Sequence, residues 1–342
     1  MDVPRLQRSL LRWFARAKRP MPWRTTRDAY AIWVSEMMLQ QTTVATVIPY
    51  YERFMKRFPD VETLARADED AVLSLWSGLG YYSRARNLRA AAGLIVDRHG
   101  GVFPKTVDEA RELPGVGPYT ASAVTSMAYG TLAAVVDGNV RRVLSRLFTR
   151  RGLSDVALQE LAAALLAPRA PGRWNEAMME LGATVCTPQK PSCPRCPVAS
   201  HCLGRSRPEY WSEGKPRREA VRVRVLMALV VRKGRILLAR NPEGELMGGL
   251  YELPHRGMPR KAPKQAHLEE LCGGVIERDA AAAWIVRHAV THHRIEAAIH
   301  RAMLTRNRPP AGLTFHTVPE AWSLPLSGLT RKALRAAGLG PP

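Results

Sequence analysis

The sequence predicts a multi-domain protein: an all-α domain followed by a smaller α+β domain. Three observations carry this. The chain has 342 residues, enough for two domains of ordinary size. Up to about residue 205 apolar residues recur at spacings of three and four, between short breaks rich in Gly or Pro. From Arg222 onward the pattern turns to strand-like alternation. The expected division is 1–212 for the helical domain, 213–224 for a basic linker and 225–342 for the second domain.

The helical elements follow in order. Met1 to Pro20 is Arg-rich and groups Leu6, Leu10, Leu11, Trp13 and Phe14 at helical spacing. A transit peptide shares that look, but the pattern runs into Pro22-Trp23-Arg24 with no small-residue cleavage site, so a first helix is expected. Trp33 to Tyr51 reads as one helix ending near Pro49. Asp68 to Trp76 is stopped by Gly78 and Gly80, and Asn87 to His99 by Gly100-Gly101. Thr106 to Arg111, Pro118 to Ala128, Asn139 to Phe148 and Val156 to Leu166 continue the series.

Pro208 to Lys215 is polar and broken. Lys215, Arg217, Arg218, Arg222 and Arg224 then give an exposed tether, lying near an anion or simply in solvent. Val223, Val225, Met227, Leu229 and Val231 alternate as a strand. Lys233-Gly234 turns the chain, and Ile236 to Ala239 returns as a hairpin. Ile295 to Leu304 is a further strand and Thr330 to Ala337 a late helix.

Lys and Arg number 51 against 30 Asp and Glu, a formal net charge of +21. A hydrophobic fraction of 46% excludes a disordered basic tail. A folded chain with that field favours a polyanion, most simply nucleic acid, with an anionic membrane surface second. The longest apolar runs, such as Leu226 to Val231, fall far short of the roughly 20 residues a membrane span needs.

Of five cysteines, Cys186, Cys193, Cys196 and Cys202 are spaced C-x6-C-x2-C-x5-C. That clustering argues for a metal site in a reducing compartment rather than a secreted disulfide framework. Four close thiolates wrap one tetrahedral zinc or one cubane iron–sulfur cluster, and spacing leaves the two comparable. Pro188, Pro191, Pro194 and Pro197 stiffen the loop, while Lys190 and Arg195 give it positive charge. Cys272 stands alone as a small apolar residue.

Leu113-Pro114-Gly115-Val116-Gly117-Pro118-Tyr119-Thr120-Ala121 lies between two helical stretches. A Gly-x-Gly turn that opens a helix offers backbone N–H groups at a positive dipole end, a cradle for phosphate. The whole string is the helix–hairpin–helix signature. Some way on, Val135-Val136-Asp137-Gly138-Asn139-Val140 places an Asp before a helix. It reads either as a plain N-cap or as a carboxylate facing a groove held on DNA.

Hairpin, V-D-G-N-V and four-cysteine loop, in that order, resemble the endonuclease III superfamily of DNA glycosylases. Pro22-Trp23-Arg24, Ile32-Trp33-Val34-Ser35-Glu36-Met37-Met38-Leu39-Gln40-Gln41-Thr42 and Gly78-Leu79-Gly80-Tyr81-Tyr82-Ser83-Arg84-Ala85-Arg86-Asn87 are similar to its MutY branch, the adenine glycosylases. The resemblance implies one 4Fe-4S cluster on the four cysteines, which tips the metal question to iron. It implies excision of adenine mispaired with 8-oxoguanine or guanine in double-stranded DNA, by a monomer acting in the cytoplasm on the nucleoid.

Glu36 is then the expected general acid, its pKa raised by apolar Met37, Met38 and Leu39, and Asp137 the carboxylate beside a cationic sugar. Tyr119 and Asn139 are placed in the same pocket. Bifunctional relatives carry an attacking lysine where this chain has Tyr119, so little or no lyase activity is expected. Gln40, Gln41 and Tyr81 match positions that probe and plug the stack around a flipped base. Arg24, Arg84 and Arg86 are expected backbone or lesion-side contacts, and Gly115, Val116 and Gly117 the hairpin's grip on phosphate.

In the second domain Met247-Gly248-Gly249-Leu250-Tyr251-Glu252-Leu253-Pro254 resembles a Nudix stretch. The metal-binding helix that a Nudix hydrolase needs is expected over Gln265 to Gly274. It offers only Glu269-Glu270, so no nucleotide hydrolysis is expected. In the MutY family this domain recognises 8-oxoguanine, through a loop that here reads His288-Ala289-Val290-Thr291-His292, with Thr291 and His292 as lesion-strand contacts. Val290 stands where the family has Phe. Three rivals are a thymine-glycol or mismatch glycosylase, a redox-sensing DNA-binding protein and an active Nudix hydrolase. Tyr119, the intact Glu36–Asp137 pair and the degraded helix argue against them in turn.

Overall fold

The computed structural model describes residues 1–205, 207, 209, 219–242, 247–259, 274–276, 283–290, 292–305 and 308–341. They fall into two compact units, Met1–Arg66 with Asn87–Pro216, and Ala67–Arg86 with Arg217–Pro342. This differs from the expected division at 212: residues 67–86 group with the second unit although they are early in the chain.

The first unit is helical. α1 (Val3–Ala17) is opened by the Asp2 side chain, and buries Leu6, Leu10 and Phe14. That stripe packs on Val143, Leu144, Leu147, Leu158, Trp174 and Leu181, as its helical spacing requires. α2 (Ala29–Leu39) is buried from Ala29 to Met38, and so is a central helix rather than an amphipathic one.

The single helix expected over Trp33 to Tyr51 is two. Gln40 leaves helical geometry at ψ 115°, and Gln41 takes φ 58°. Thr43 then caps α3 (Val44–Arg57), accepting from the Thr46 N–H. Apolar periodicity runs on across this break, and the local cap decides against it. Pro49 sits inside α3 rather than at its end, where it forgoes one backbone hydrogen bond.

α4 (Val61–Ala65), α6 (Ser83–His99), α7 (Val107–Arg111), α8 (Pro118–Tyr129), α9 (Gly138–Leu147) and α10 (Asp155–Leu165) follow, with α5 (Glu69–Trp76) in the second unit. α6 starts four residues before the expected Asn87. α4 and α11 (Pro171–Thr184) had no expectation. α11 packs unusually close to its neighbours: a Cβ at Gly172 would come 2.5 Å from the Ser126 carbonyl, and one at Gly182 2.6 Å from the Asn139 Cβ.

The second unit holds two sheets. β1 (Val221–Leu229) pairs antiparallel with β5 (His255–Pro259) and parallel with β8 (His293–Leu304), which also takes β6 (Gly274–Ile276) and β7 (Trp284–Val290). The other sheet joins β2 (Val231–Arg232), β3 (Arg235–Arg240), β4 (Tyr251–Glu252) and β9 (Leu313–Thr317). The expected hairpin is there: Lys233 and Gly234 take φ 49° and 72°, the double left-handed turn that matches strand twist.

Two expectations are corrected. Val231 belongs to the second sheet, because β1 ends at Leu229. Arg222 and Arg224 are strand residues on β1, not linker. Lys215, Arg217 and Arg218 lie outside the described residues, as do Gln265 to Gly273 with Glu269 and Glu270. Gly274 opens a strand. Met227, Leu229, Ile236, Leu238 and Ile299 pack with Leu329, Ala333 and Leu334 of α13 (Gly328–Ala336), the expected late helix. α12 (Val318–Ser323) precedes it.

Residues 67–86 join this unit through polar contacts. Asp70 pairs with Arg240 at 3.0 Å, Ser77 Oγ donates to the Leu326 carbonyl at 2.5 Å, and Arg86 donates to the Gly248 carbonyl at 2.7 Å.

Candidate active site

A cavity of about 510 Å³ opens in the first unit, and Glu36, Tyr119, Asp137 and Asn139 all line it. Four residues expected to act together, from three separate helical regions, are brought to one place.

Glu36 stands on α2, where its neighbours are core, and only 5% of it is exposed. Burial pushes its carboxyl up to about 7, nearby Asp137 and Glu176 add to the rise, and Tyr119 and Arg24 oppose it. The Tyr119 hydroxyl donates to Glu36 Oε2 at 2.9 Å. Tyr119 is held on the first turn of α8, and burial keeps its phenol protonated far above the usual range. The group with a proton to give near neutrality is thus Glu36.

Asp137 is both a helix cap and a lining residue of the cavity. It is the N-cap of α9, with Oδ1 accepting from the Val140 N–H at 2.7 Å. Its Oδ2 accepts from Asn139 Nδ2 at 2.8 Å. Asn139 is oriented in turn by Arg142, which donates to its Oδ1 at 2.8 Å and to the carbonyls of Cys186 at 2.8 Å and Gly182 at 2.7 Å. The cap therefore aims the carboxylate and does not compete with its presence in the cavity.

Gln40 and Gln41 also line the cavity mouth. Gln40 donates to Thr120 Oγ1 at 3.3 Å, while Gln41 is exposed and left-handed, a strained setting for a residue with a Cβ. In the hairpin Gly115 and Gly117 are exposed and Val116 is buried as its anchor. Gly115 has φ 75°, and a Cβ there would lie 2.8 Å from the Asn87 Cβ, so glycine is required twice over. The Val116 N–H donates to the Leu113 carbonyl at 3.0 Å, which closes the turn.

Arg24 corrects an expectation. Its side chain is 10% exposed and committed inside the protein, to Glu176 at 3.2 Å and Glu180 at 2.9 Å. Arg19 completes the group, with Nε 2.7 Å from Glu180 Oε1. Arg24 borders the cavity as part of this network, not as a solvent-facing phosphate contact. Glu176 and Glu180 had no expectation. The legible signal was two glutamates one helical turn apart on α11, set among Trp174, Ala177, Met178 and Leu181.

In the second unit, Tyr81 is 45% exposed at φ 48°, with the Arg84 guanidinium 5.7 Å from its ring centroid. Arg84 and Arg86 differ from expectation. Arg84 is buried, and donates to the carbonyls of Leu79 at 3.3 Å and Gly80 at 3.0 Å. Burial lowers its guanidinium to about 10. It shapes the loop that carries Tyr81, and Arg86 is held by Gly248. Thr291 lies outside the described residues. His292 stacks on His293 at 4.2 Å, and its carbonyl accepts from the Val221 N–H at 2.9 Å, which ties the β7–β8 turn to β1.

Cys186, Cys193, Cys196 and Cys202 line one small cavity with Val185, Pro191 and Arg146. Among the described residues no three Cys, His, Asp or Glu side chains converge as ligands of a single ion. Four sulfurs lining one cavity are a donor set that either a tetrahedral zinc or a cubane iron–sulfur cluster uses. Burial pushes the Cys196 thiol up to about 12, so a thiolate there needs a cation beside it. Buried Arg146 donates to Cys186 Sγ at 3.3 Å and to the Thr187 carbonyl at 2.7 Å. The donor set fits an iron–sulfur cluster.

Residues 34–168 match the family model described as HhH-GPD superfamily base excision DNA repair protein, and residues 226–336 match the NUDIX domain. The chain is 48% identical over 225 residues to an adenine DNA glycosylase of Rattus norvegicus, covering 60% of this chain and 43% of the relative. It is 37% identical over 300 residues to one of Arabidopsis thaliana, covering 74% of this chain and 48% of the relative. The chain thus spans less than half the length of these relatives. Among solved structures, a thermostable thymine-DNA glycosylase aligns with a TM-score of 0.56 at 30% identity, over 59% of this chain and 96% of that one. An endonuclease III in a trapped covalent complex with DNA shares the fold at a TM-score of 0.52 and 24% identity, over 60% of this chain and 95% of that one.

Proposed function

The chain belongs to the MutY-type branch of the helix–hairpin–helix superfamily, and from that premise we propose that it excises adenine mispaired with 8-oxoguanine or guanine. The observation that carries this is Glu36: a buried carboxyl, hydrogen-bonded by Tyr119, sharing a cavity with Asp137 and titrating near neutrality.

Cleaving the N-glycosidic bond asks for two charges at once. Adenine leaves poorly as an anion, so Glu36 gives it a proton. The sugar left behind is cationic, and Asp137, aimed by Val140 and Asn139, sits beside it until water attacks. Two carboxyl groups in unlike surroundings divide the work. Tyr119 offers no amine, so no Schiff base forms at its position and strand cleavage is absent or weak. Adenine reaches the cavity by flipping from the duplex, at a cost of a few kcal/mol. Gln41 and Tyr81 act on the opened stack. The hairpin N–H groups hold phosphate.

Cys186, Cys193, Cys196 and Cys202 would hold one 4Fe-4S cluster. When bound it supplies a covalent staple for the loop and a redox-capable centre. Iron content and an absorption band near 400 nm (roughly where such clusters absorb) distinguish it from zinc.

The test is single-turnover cleavage of duplexes with A opposite 8-oxoguanine, G or T. The first is expected to be cut fastest, and any other order sinks the substrate assignment. Nicks formed without alkali, or a borohydride-trapped adduct, would overturn the monofunctional reading.

A further inference from the structure

Glu36 and Tyr119 are carried by helices, but the chain that delivers Asp137 is not. Between α8 and α9, residues 130–137 form neither helix nor strand. Ala134 and Val135 are buried there, Val136 and Asp137 line the cavity, and Asp137 caps α9. Buried backbone needs hydrogen-bond partners, and outside regular structure side chains must supply them.

Two side chains do so. Asn175 of α11 is 2% exposed, and its amide engages the segment twice. Its Oδ1 accepts from the Val135 N–H at 3.2 Å, and its Nδ2 donates to the Ala133 carbonyl at 2.8 Å. These two groups, one on either side of Ala134, are those that a parallel strand neighbour would take up. Gln159 of α10 donates to the Ala134 carbonyl at 2.8 Å. Asn175 Nδ2 also donates to Ser126 Oγ of α8 at 2.9 Å, so both amide hydrogens are used.

The place of Asn175 follows from the packing of α11. Gly172, Asn175 and Gly182 are spaced by three and seven residues, which puts them on one helix face. A Cβ at Gly172 would come 2.6 Å from the Met127 Cα, and one at Gly182 2.9 Å from the Asn139 carbonyl oxygen. α11 is thus pressed backbone to backbone against α8 at one point and the start of α9 at another. Asn175 lies between them and reaches the segment that joins α8 to α9. An amide placed so fixes how the chain enters α9, and hence where the Asp137 carboxylate stands.

We propose that Asn175 is a positioning residue for the excision reaction, acting through Asp137, with Gln159 as a weaker second clamp. Asn175 is not among the residues that line the cavity. It holds residues 133–135 in place, so that Asp137 meets the cationic sugar already oriented. The proposal rests on the excision reading for its reaction and deepens that reading's account of Asp137.

Single-turnover excision of A opposite 8-oxoguanine and duplex affinity are measured for the full chain and for Asn175→Ala, Gln159→Ala and Leu64→Ala. The first two are also combined with Asp137→Asn. Leu64, fully buried on α4 and no part of the cavity lining, gives a protein destabilised elsewhere. Asn175→Ala should cut the excision rate about 10- to 100-fold, as a misplacement of roughly an ångström does. Gln159→Ala should cut it about threefold, the worth of one neutral hydrogen bond. Leu64→Ala, below its melting temperature, should not change it. Duplex affinity should hold in all three. In the Asp137→Asn background Asn175→Ala should cost nothing further, because residues that act as one unit are not additive. A full additional loss in that background overturns the proposal. So does an unchanged rate in Asn175→Ala, or an equal loss in Leu64→Ala. If Asn175→Ala does not fold, Gln159, an exposed side chain, decides alone: an unchanged rate in Gln159→Ala overturns the proposal.

Amide hydrogen exchange gives a readout free of activity. Loss of Asn175 should speed exchange at Val135, and at Val140, whose N–H is held by Asp137, beyond any change in Leu64→Ala. Unchanged exchange at Val140 overturns the proposal. Faster exchange there, with an unsubstituted protein that excises no adenine, sinks the functional reading and leaves the positioning.

Discussion

Arg24 beside the cavity that Glu36 and Asp137 line and Arg222 on the second unit's sheet are the same residue type used in opposite ways. Arg24 is enclosed and matched, by Glu176 at 3.2 Å and Glu180 at 2.9 Å. Arg222 is exposed and set against another arginine, Arg294. Buried charge must be paired, and once paired it holds neighbouring groups in place. Exposed like charge gains nothing from its neighbours and acts outward, on whatever anion comes near. The formal +21 is therefore two populations, one committed to the fold and one still available.

The contrast between enclosed and outward-facing charge is tested most sharply at Asp137. Asn caps a helix as well as Asp does, so Asp137→Asn should leave α9 and DNA binding intact and cut single-turnover excision by roughly a thousandfold or more. Normal excision would place the site elsewhere. Glu36→Gln comes next, with a loss of about 10² to 10⁴ from removing a general acid. In the unsubstituted protein the rate should fall as pH rises above about 7, because Glu36 then loses its proton. A rate that is flat from pH 6 to 8.5 would contradict that role.

The same carboxyl makes a stability prediction. Its folded pKa, about 7, lies above the ordinary 4.5. Folding is thus favoured fully below 4.5, and the advantage is lost as pH rises to about 7, on the order of 3 kcal/mol in all. Glu36→Gln should flatten that slope of stability against pH in denaturant titrations.

Arg24→Met should cost about 3 kcal/mol, by leaving Glu176 and part of Glu180 buried without a partner, read as a lower denaturant midpoint. A surface arginine would cost almost nothing, so a neutral result would return Arg24 to the expected DNA contacts. The smallest effect is Arg294→Gln alone, which should raise stability by about 0.5 kcal/mol at low salt and less as salt screens the pair.

Much of the site was readable because its chemistry depends on residue type at fixed local positions. The Gly115-Val116-Gly117 turn, the Asp137 cap and the four-cysteine spacing each fix their own backbone. The arginines were not readable in that way. Arg24 and Arg86 are long side chains whose partners lie 156 and 162 residues away, and local pattern says nothing about which distant carbonyl or carboxylate a guanidinium finds. The one helix expected over Trp33 to Tyr51 failed for a related reason: apolar spacing continued across a break set by Thr43 and the left-handed Gln41.

By itself the sequence determined the fold class, the hairpin and the gathering of four cysteines in one short segment, since short-range sterics, caps and spacing settle these; Glu36 and Asp137 were marked by resemblance to a family. Tertiary structure decided which charges are free. Only packing buries Glu36 enough to hold a proton near pH 7, closes Glu176 and Glu180 round Arg24, and gathers residues 67–86 with the second unit. Only strand register sets Arg222 against Arg294. Burial and pairing are properties of distance in space, and the order of residues along a chain does not carry them.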